Sequence, residues 1–267
     1  MDPTHPMSTR INCSGGDTSQ PADKITIMDK HRNTILLKPG RVRYQIALDW
    51  QFCAAQAVRN REVSGCLALL EHPAVYTMGA RGGRTNLLVN SERLHQFGAD
   101  VVDVDRGGDI TFHGPGQLVA YPIIRLADYG LGPSDYVHLL EQVLIDTVAE
   151  FGVLGTTMPG RPGVWVGPNK LAAIGVRVQK GVTRHGVALN VHNDLSWFGS
   201  IIPCGLPDGG TTSLSLLLNQ TVNLPDVEDC AIRAMARQFG MSFVGPLFSE
   251  LVDPRGLISE VNIDDTY

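Results

Sequence analysis

No two cysteines in this 267-residue chain have the spacing of a redox or zinc motif. The five, at positions 13, 53, 66, 204 and 230, form no CxxC pair and no Cys/His cluster, and an odd count fits a reducing compartment better than a disulfide framework. A basic excess is missing too: 22 Lys and Arg against 27 Asp and Glu leave a net charge of −5, which counts against a nucleic-acid partner, since phosphates need a positive surface. No apolar run reaches the roughly 18 residues of a membrane helix. The first thirty residues hold no signal-peptide core, and Asp2, Asp17, Asp23 and Asp29 are unlike an acid-poor transit peptide. A cytoplasmic protein with no membrane partner is expected. Nucleotide fingerprints are lacking as well. Gly114-Pro115-Gly116 has no third glycine to complete GxGxxG, and no GxxxxGK[ST] occurs. Neither a metal nor another cofactor is expected.

Glycine is abundant, with 29 residues against a usual share of about 7%; tight turns and close backbone approaches follow. Residues 1–32 are rich in Ser, Thr, Asp, Pro and Gly, and are expected to remain a disordered extension because they bury too little to offset ordering entropy. Residues 33–267 are read as one catalytic domain. In it, Ile35–Leu37 reads as a short strand ending in a turn at Lys38-Pro39-Gly40. Apolar residues from Tyr44 to Val58 recur at helical intervals, placing Cys53 inside a helix with core neighbours. Gly65–His72, Val75–Gly79, Val101–Val104 and Leu118–Ile124 read as strands. Ser134–Phe151 reads as a helix capped by Ser134, and Asp226–Phe239 as one ending at Gly240. Between these helices Val164–Val166, Leu171–Val178 and Val182–Val191 alternate with turn residues like hairpins. Adjacent strands outnumbering helices predict an α+β fold with a mixed, largely antiparallel sheet flanked by helices.

Two features carry chemistry. Arg106-Gly107-Gly108-Asp109-Ile110-Thr111-Phe112-His113-Gly114-Pro115-Gly116-Gln117 places one arginine and one histidine among four glycines. Its backbone can approach a ligand closely, and Arg106 suits a phosphate or carboxylate; a plain glycine-rich hairpin loop would look the same. The other is Cys204, in Ile202-Pro203-Cys204-Gly205, with Lys170 thirty-four residues earlier. A thiol set on a Pro-Gly turn and served by a lysine points to acyl transfer more than to metal binding.

Four blocks together resemble the lipoyl(octanoyl) transferases, the family grouped with lipoate and biotin protein ligases. They are Glu71–Gly79, the Arg106–Gln117 loop, Lys170–Arg177, and His185–Val191 running on to Ile202–Gly205; the resemblance covers about residues 38–244. It implies a biotin/lipoate-ligase-like fold and transfer of an octanoyl group from the phosphopantetheine thioester of acyl carrier protein to a lipoyl-domain lysine. The acceptors it implies are the lipoyl domains of 2-oxoacid dehydrogenase complexes and the glycine cleavage H protein. A monomer is implied too. Cys204 matches the family nucleophile and Lys170 the residue that lowers its pKa. Arg106–His113, with Ala173, Ile174, Gly175, Gly186, Val187 and Ala188, matches the segments lining the acyl site.

The chemistry is self-consistent. An ammonium that lowered a thiol's pKa by about two units would stabilise the thiolate by about 2.7 kcal/mol, and thioester exchange onto Cys204 followed by amide formation divides the transfer into two easy steps. Burying eight carbons at about 0.8 kcal/mol per methylene would contribute on the order of 5 kcal/mol; Ala173, Gly175, Gly186 and Ala188 leave room for them. The base that frees the acceptor lysine is either the Cys204/Lys170 pair or His113. The competing readings are an ATP-dependent lipoate or biotin ligase, a cysteine thioesterase, and a carrier-protein binding module without turnover.

Overall fold

The computed structural model describes residues 32–82, 86–202 and 210–245. The proposed 1–32 extension, except Arg32, therefore lies outside the described residues, as do Cys13 and Cys204. Arg32 itself is docked: its guanidinium donates to the Phe239 carbonyl at 3.4 Å and lies over the Tyr129 ring.

The larger sheet is built from β1 (Asn33–Arg41), β2 (Gly65–Glu71), β6 (Gln117–Ile124), β7 (Thr156–Met158), β8 (Arg161–Val166), β9 (Asn169–Gln179), β10 (Val182–Asn190), β11 (Gly210–Thr211) and β12 (Ser242–Val244). Its order is β12-β1-β2-β6-β10-β9-β8-β7, with β11 added alongside β9. Pairing is parallel at β12-β1, β1-β2 and β11-β9 and antiparallel elsewhere, so the mixed, largely antiparallel α+β expectation is met. A smaller sheet, β4-β3-β5, consists of β3 (Val75–Met78), β4 (Asp100–Asp103) and β5 (Ile110–His113). Strand β5 occupies four of the twelve residues of the glycine-rich stretch, which is thus part strand rather than all loop.

Both faces of the larger sheet are covered, which is why β2 and β6 are continuously apolar rather than alternating. Leu67, Leu69, Leu118 and Ala120 face the helices α3 (Pro133–Ala149) and α5 (Leu224–Phe239). Cys66, Ala68, Leu70, Val119 and Tyr121 face α1 (Tyr44–Asn60). Two short helices complete the set, α2 (Ser91–Gln96) beside the smaller sheet and α4 (Leu214–Leu218). No helix among the described residues is long and apolar enough to cross a membrane.

Several local expectations change. Helix α3 begins one residue before Ser134: Gly132 is its N-cap, Pro133 opens the first turn, and the Asp135 carboxylate accepts from the Gly132 N–H at 3.0 Å. Pro at the first position has no N–H to leave unsatisfied. Lys38-Pro39-Gly40 is not a turn; β1 continues to Arg41 through a register shift at Gly40. Cys53 is exposed, because the buried face of α1 runs through Gln51, Ala54, Ala55 and Val58. Cys66 and Cys230 are buried.

One proline shapes the site. In β6, Pro122 has no N–H to offer β10, and the β6-β10 pairing runs from Asn190 opposite Gln117 to Val187 opposite Ala120. Thr183 replaces the ladder with its hydroxyl, accepting from the Ile124 N–H at 2.9 Å and donating to the Pro122 carbonyl at 2.8 Å. Strand β10 bends there: His185 takes a φ of 57°, and its N–H is held by the buried Gln51 at 2.7 Å. Gly186 follows so close to β6 that a Cβ would stand 2.0 Å from the Ala120 carbonyl oxygen. Gly186→Ala is expected to lose about 3 kcal/mol or more of stability, since backbone rather than a movable side chain blocks the methyl. Gly152→Ala, at positive φ but with open space around it, should lose only about 1 kcal/mol. Urea midpoints of the two variants check the contrast.

Candidate active site

A cavity lies between the two sheets on the α1 side of the larger one. Its floor follows direct cross-strand partners, Ala173 opposite Ala188 and Gly175 opposite Gly186, with Val119 and Tyr121 beside them and Ile110, Thr111 and His113 opposite from the smaller sheet. These small floor residues keep the middle of the sheet open. Lys170, Trp165, Gly210 and Thr211 line one end.

Lys170 is fixed through its backbone. Its carbonyl accepts from the Thr212 N–H at 3.0 Å, Thr211 is its neighbour in β11, and its Nζ sits 4.9 Å from the centre of the Trp165 ring. Gly163 makes space for the stem, for a Cβ there would stand 3.2 Å from Lys170 Cε.

Arg106 is buried in the wall rather than reaching out. Its guanidinium donates to the Thr77 carbonyl at 2.6 Å, to the Thr77 hydroxyl at 2.8 and 3.1 Å, and to the Gly107 carbonyl at 3.1 Å. Gly79 and Gly175 flank it: a Cβ at either would come within 3 Å of the arginine side chain. Its positive charge therefore faces the cavity from a fixed position.

His113 directs Nδ1 to Gln117 Oε1 at 2.9 Å, and Gln117 in turn donates to Asn190 at 2.9 Å. Burial first, and then the neighbouring His72 and Arg106 charges, hold His113 well below the ordinary imidazole range, so it is neutral. His185 donates from Nε2 to Asp105 at 2.9 Å; burial outweighs that carboxylate and brings it down to about 4. His72 is likewise lowered to about 4 by burial.

Of the residues read from sequence, Arg106, Gly108, Asp109, Ile110, Thr111, His113, Lys170, Ala173, Ile174, Gly175, Gly186, Val187 and Ala188 come together around this cavity. Two do not line it. Phe112 points into the core of the smaller sheet, stacked 5.3 Å from Trp197, because side chains alternate along β5. Gly107 instead closes the gap to β9, its N–H donating to the Val176 carbonyl at 2.9 Å. Tyr44, Tyr121, Trp165 and Phe198 line the cavity without having been singled out; in sequence such aromatic residues mark only core.

Residues 43–236 match the family described as the lipoyl protein ligase A/B catalytic domain. An octanoyltransferase of Acidobacterium capsulatum is 40% identical over 240 residues, covering 85% of this chain and 96% of that protein. One from Geobacter metallireducens is 46% identical over 200 residues, covering 75% and 89%. The fold is shared with a lipoate-protein ligase A bound with ATP, at a TM-score of 0.67 and 14% identity over 82% of this chain and 90% of that one. It is also shared with a bi-partite lipoate protein ligase from Thermoplasma acidophilum, at a TM-score of 0.63 and 14% identity, covering 82% and 88%. The chain belongs to the lipoyl protein ligase A/B catalytic-domain family and, within it, to the octanoyltransferases, which are acyltransferases.

Proposed function

We propose that this octanoyltransferase takes its acyl group from the phosphopantetheine thioester of acyl carrier protein, holds it on Cys204, and delivers it to a lysine of a lipoyl domain. The acceptors are the lipoyl domains of 2-oxoacid dehydrogenase complexes and the glycine cleavage H protein. The observation that carries this reading is the company Lys170 keeps. It stands at one end of a largely apolar cavity floored by alanine and glycine, and β11, which follows Cys204 by six residues in sequence, pairs with it directly.

In this scheme the Lys170 ammonium stabilises the Cys204 thiolate. The sulfur attacks the donor carbonyl, the carrier's thiol leaves, and a thioester replaces a thioester. The acceptor amine then forms the C–N bond as the C–S bond breaks, and the departing sulfur takes up the proton that the nitrogen loses. No nucleotide is consumed.

Intact-mass measurement after mixing the protein with octanoyl-acyl carrier protein, without nucleotide, is expected to show an octanoyl adduct. On adding a lipoyl domain the adduct should disappear and the domain should gain the same mass. A strict requirement for ATP, with no adduct in its absence, would favour a ligase instead.

A further inference from the structure

Four rings form one cluster, of which Tyr44, His113 and Tyr121 line the cavity and His72 packs behind them. Tyr44 at the start of α1, His72 after β2, His113 at the end of β5 and Tyr121 in β6 pack with centroids 5.0–6.0 Å apart, and all are buried. They lie beside the His185–Gly186 bend, since the Tyr44 hydroxyl is 3.4 Å from His185 Nδ1. Gly186 pairs with Gly175, five residues along β9 from Lys170, which corresponds to about 16 Å of strand.

Such polar residues suit the end of an apolar cavity only if their heteroatoms are answered elsewhere. They are. His72 Nδ1 donates to the Val42 carbonyl at 2.7 Å, which leaves Nε2 to accept from the Tyr121 hydroxyl at 2.7 Å. His113 is held by Gln117 at 2.9 Å, with the Thr77 hydroxyl 3.4 Å from its Nε2. What remains for a ligand to meet is ring carbon, held rigidly by the bonds behind it.

We propose that this ring plug is the stop against which the acyl chain is measured, with Tyr44 as its specificity-determining residue. The inference rests on the octanoyl-transfer reading above: the thioester lies toward Lys170 and the chain's methyl end abuts Tyr44 and Tyr121. A longer chain meets the rings, and a shorter one leaves them uncovered. Tyr44 is the member to alter, because it enters from α1, whereas Tyr121 in β6 and His72 just past β2 are bonded to each other.

The test compares kcat/KM for hexanoyl, octanoyl, decanoyl and dodecanoyl thioesters of acyl carrier protein. Tyr44→Phe, which keeps the ring, should retain the parent's preference for eight carbons. Tyr44→Ala should raise the decanoyl-to-octanoyl ratio at least about tenfold, because each accommodated methylene is worth about fourfold and the parent's clash is removed as well. If Tyr44→Ala does not fold, Tyr44→Leu carries the same expectation at a smaller size, since it keeps the helix face apolar. An unchanged optimum at eight carbons in the folded variant would overturn the plug. A parent protein that moves no acyl group from the carrier would instead overturn the reading on which the plug rests, so the two failures are distinct.

Discussion

A Cys204→Ala protein is expected to take up no octanoyl group and to transfer it about a thousandfold more slowly or worse, as when the nucleophile of a covalent mechanism is removed. Lys170→Met should behave differently. The thiol remains, but without the ammonium its pKa returns to about 8.5, so that only a few per cent is thiolate at neutral pH. Adduct formation at pH 7 should fall by about twentyfold, if the lysine depresses the thiol by about two units. The sign of the pH dependence follows from the same shift. In the parent, adduct formation is already near its plateau at neutral pH; in Lys170→Met it should keep rising until about pH 8.5, and the gap between the two should narrow. Rapid-quench mass measurements of the adduct from pH 6 to 9 read this directly. A gap that stays constant across that range would assign Lys170 to positioning alone, and a Cys204→Ala protein near parental activity would remove the thioester from the mechanism.

Acid is expected to begin destabilising this protein from about pH 6.5, before its carboxylates start to titrate. His72, His113 and His185 are all buried and all lowered, His72 and His185 to about 4. Unfolding exposes each ring to water, where it titrates near 6.5. From there down to about 4 the unfolded chain binds protons that the native protein refuses, so stability is complete above about 6.5 and falls as the pH drops. Each imidazole contributes a slope of up to about 1.4 kcal/mol per pH unit. With three acting together, even a stability of about 10 kcal/mol should be largely lost by pH 4. Urea midpoints measured from pH 7.5 to 4.5 test this; a midpoint that held steady to pH 5 would mean that these rings are protonated in the folded state.

How much could be read from the residues depended on whether the signal was local. Strands β2 and β6 and helices α3 and α5 announce themselves, because burial on two faces or along one stripe imposes a run or a period on the sequence. Helix α2 gives no such sign: Leu94 is its one buried residue, and one apolar contact has no period. Strand β5 is hidden by the glycines around it. Most of the cavity's lining was legible through its motifs, yet Tyr44 was not, since a tyrosine on the apolar stripe of a helix looks like ordinary core. The bend at His185 needed Pro122 and Gly186, 64 residues apart on two strands, to be considered together, and no window along the chain contains both. Phe112 was misplaced for the opposite reason. A block of consecutive residues was assigned to the cavity, although a strand presents only alternate side chains to one face.

The clasp between Arg32 and Phe239 joins residues 207 apart, and the β1-β12 pairing joins residues 209 apart, as in Asn33 opposite Ser242. During synthesis β1 is therefore made about 200 residues before β12, the strand that covers its outer edge. That edge stays uncovered while the intervening residues are made, and non-local pairing of this kind closes late.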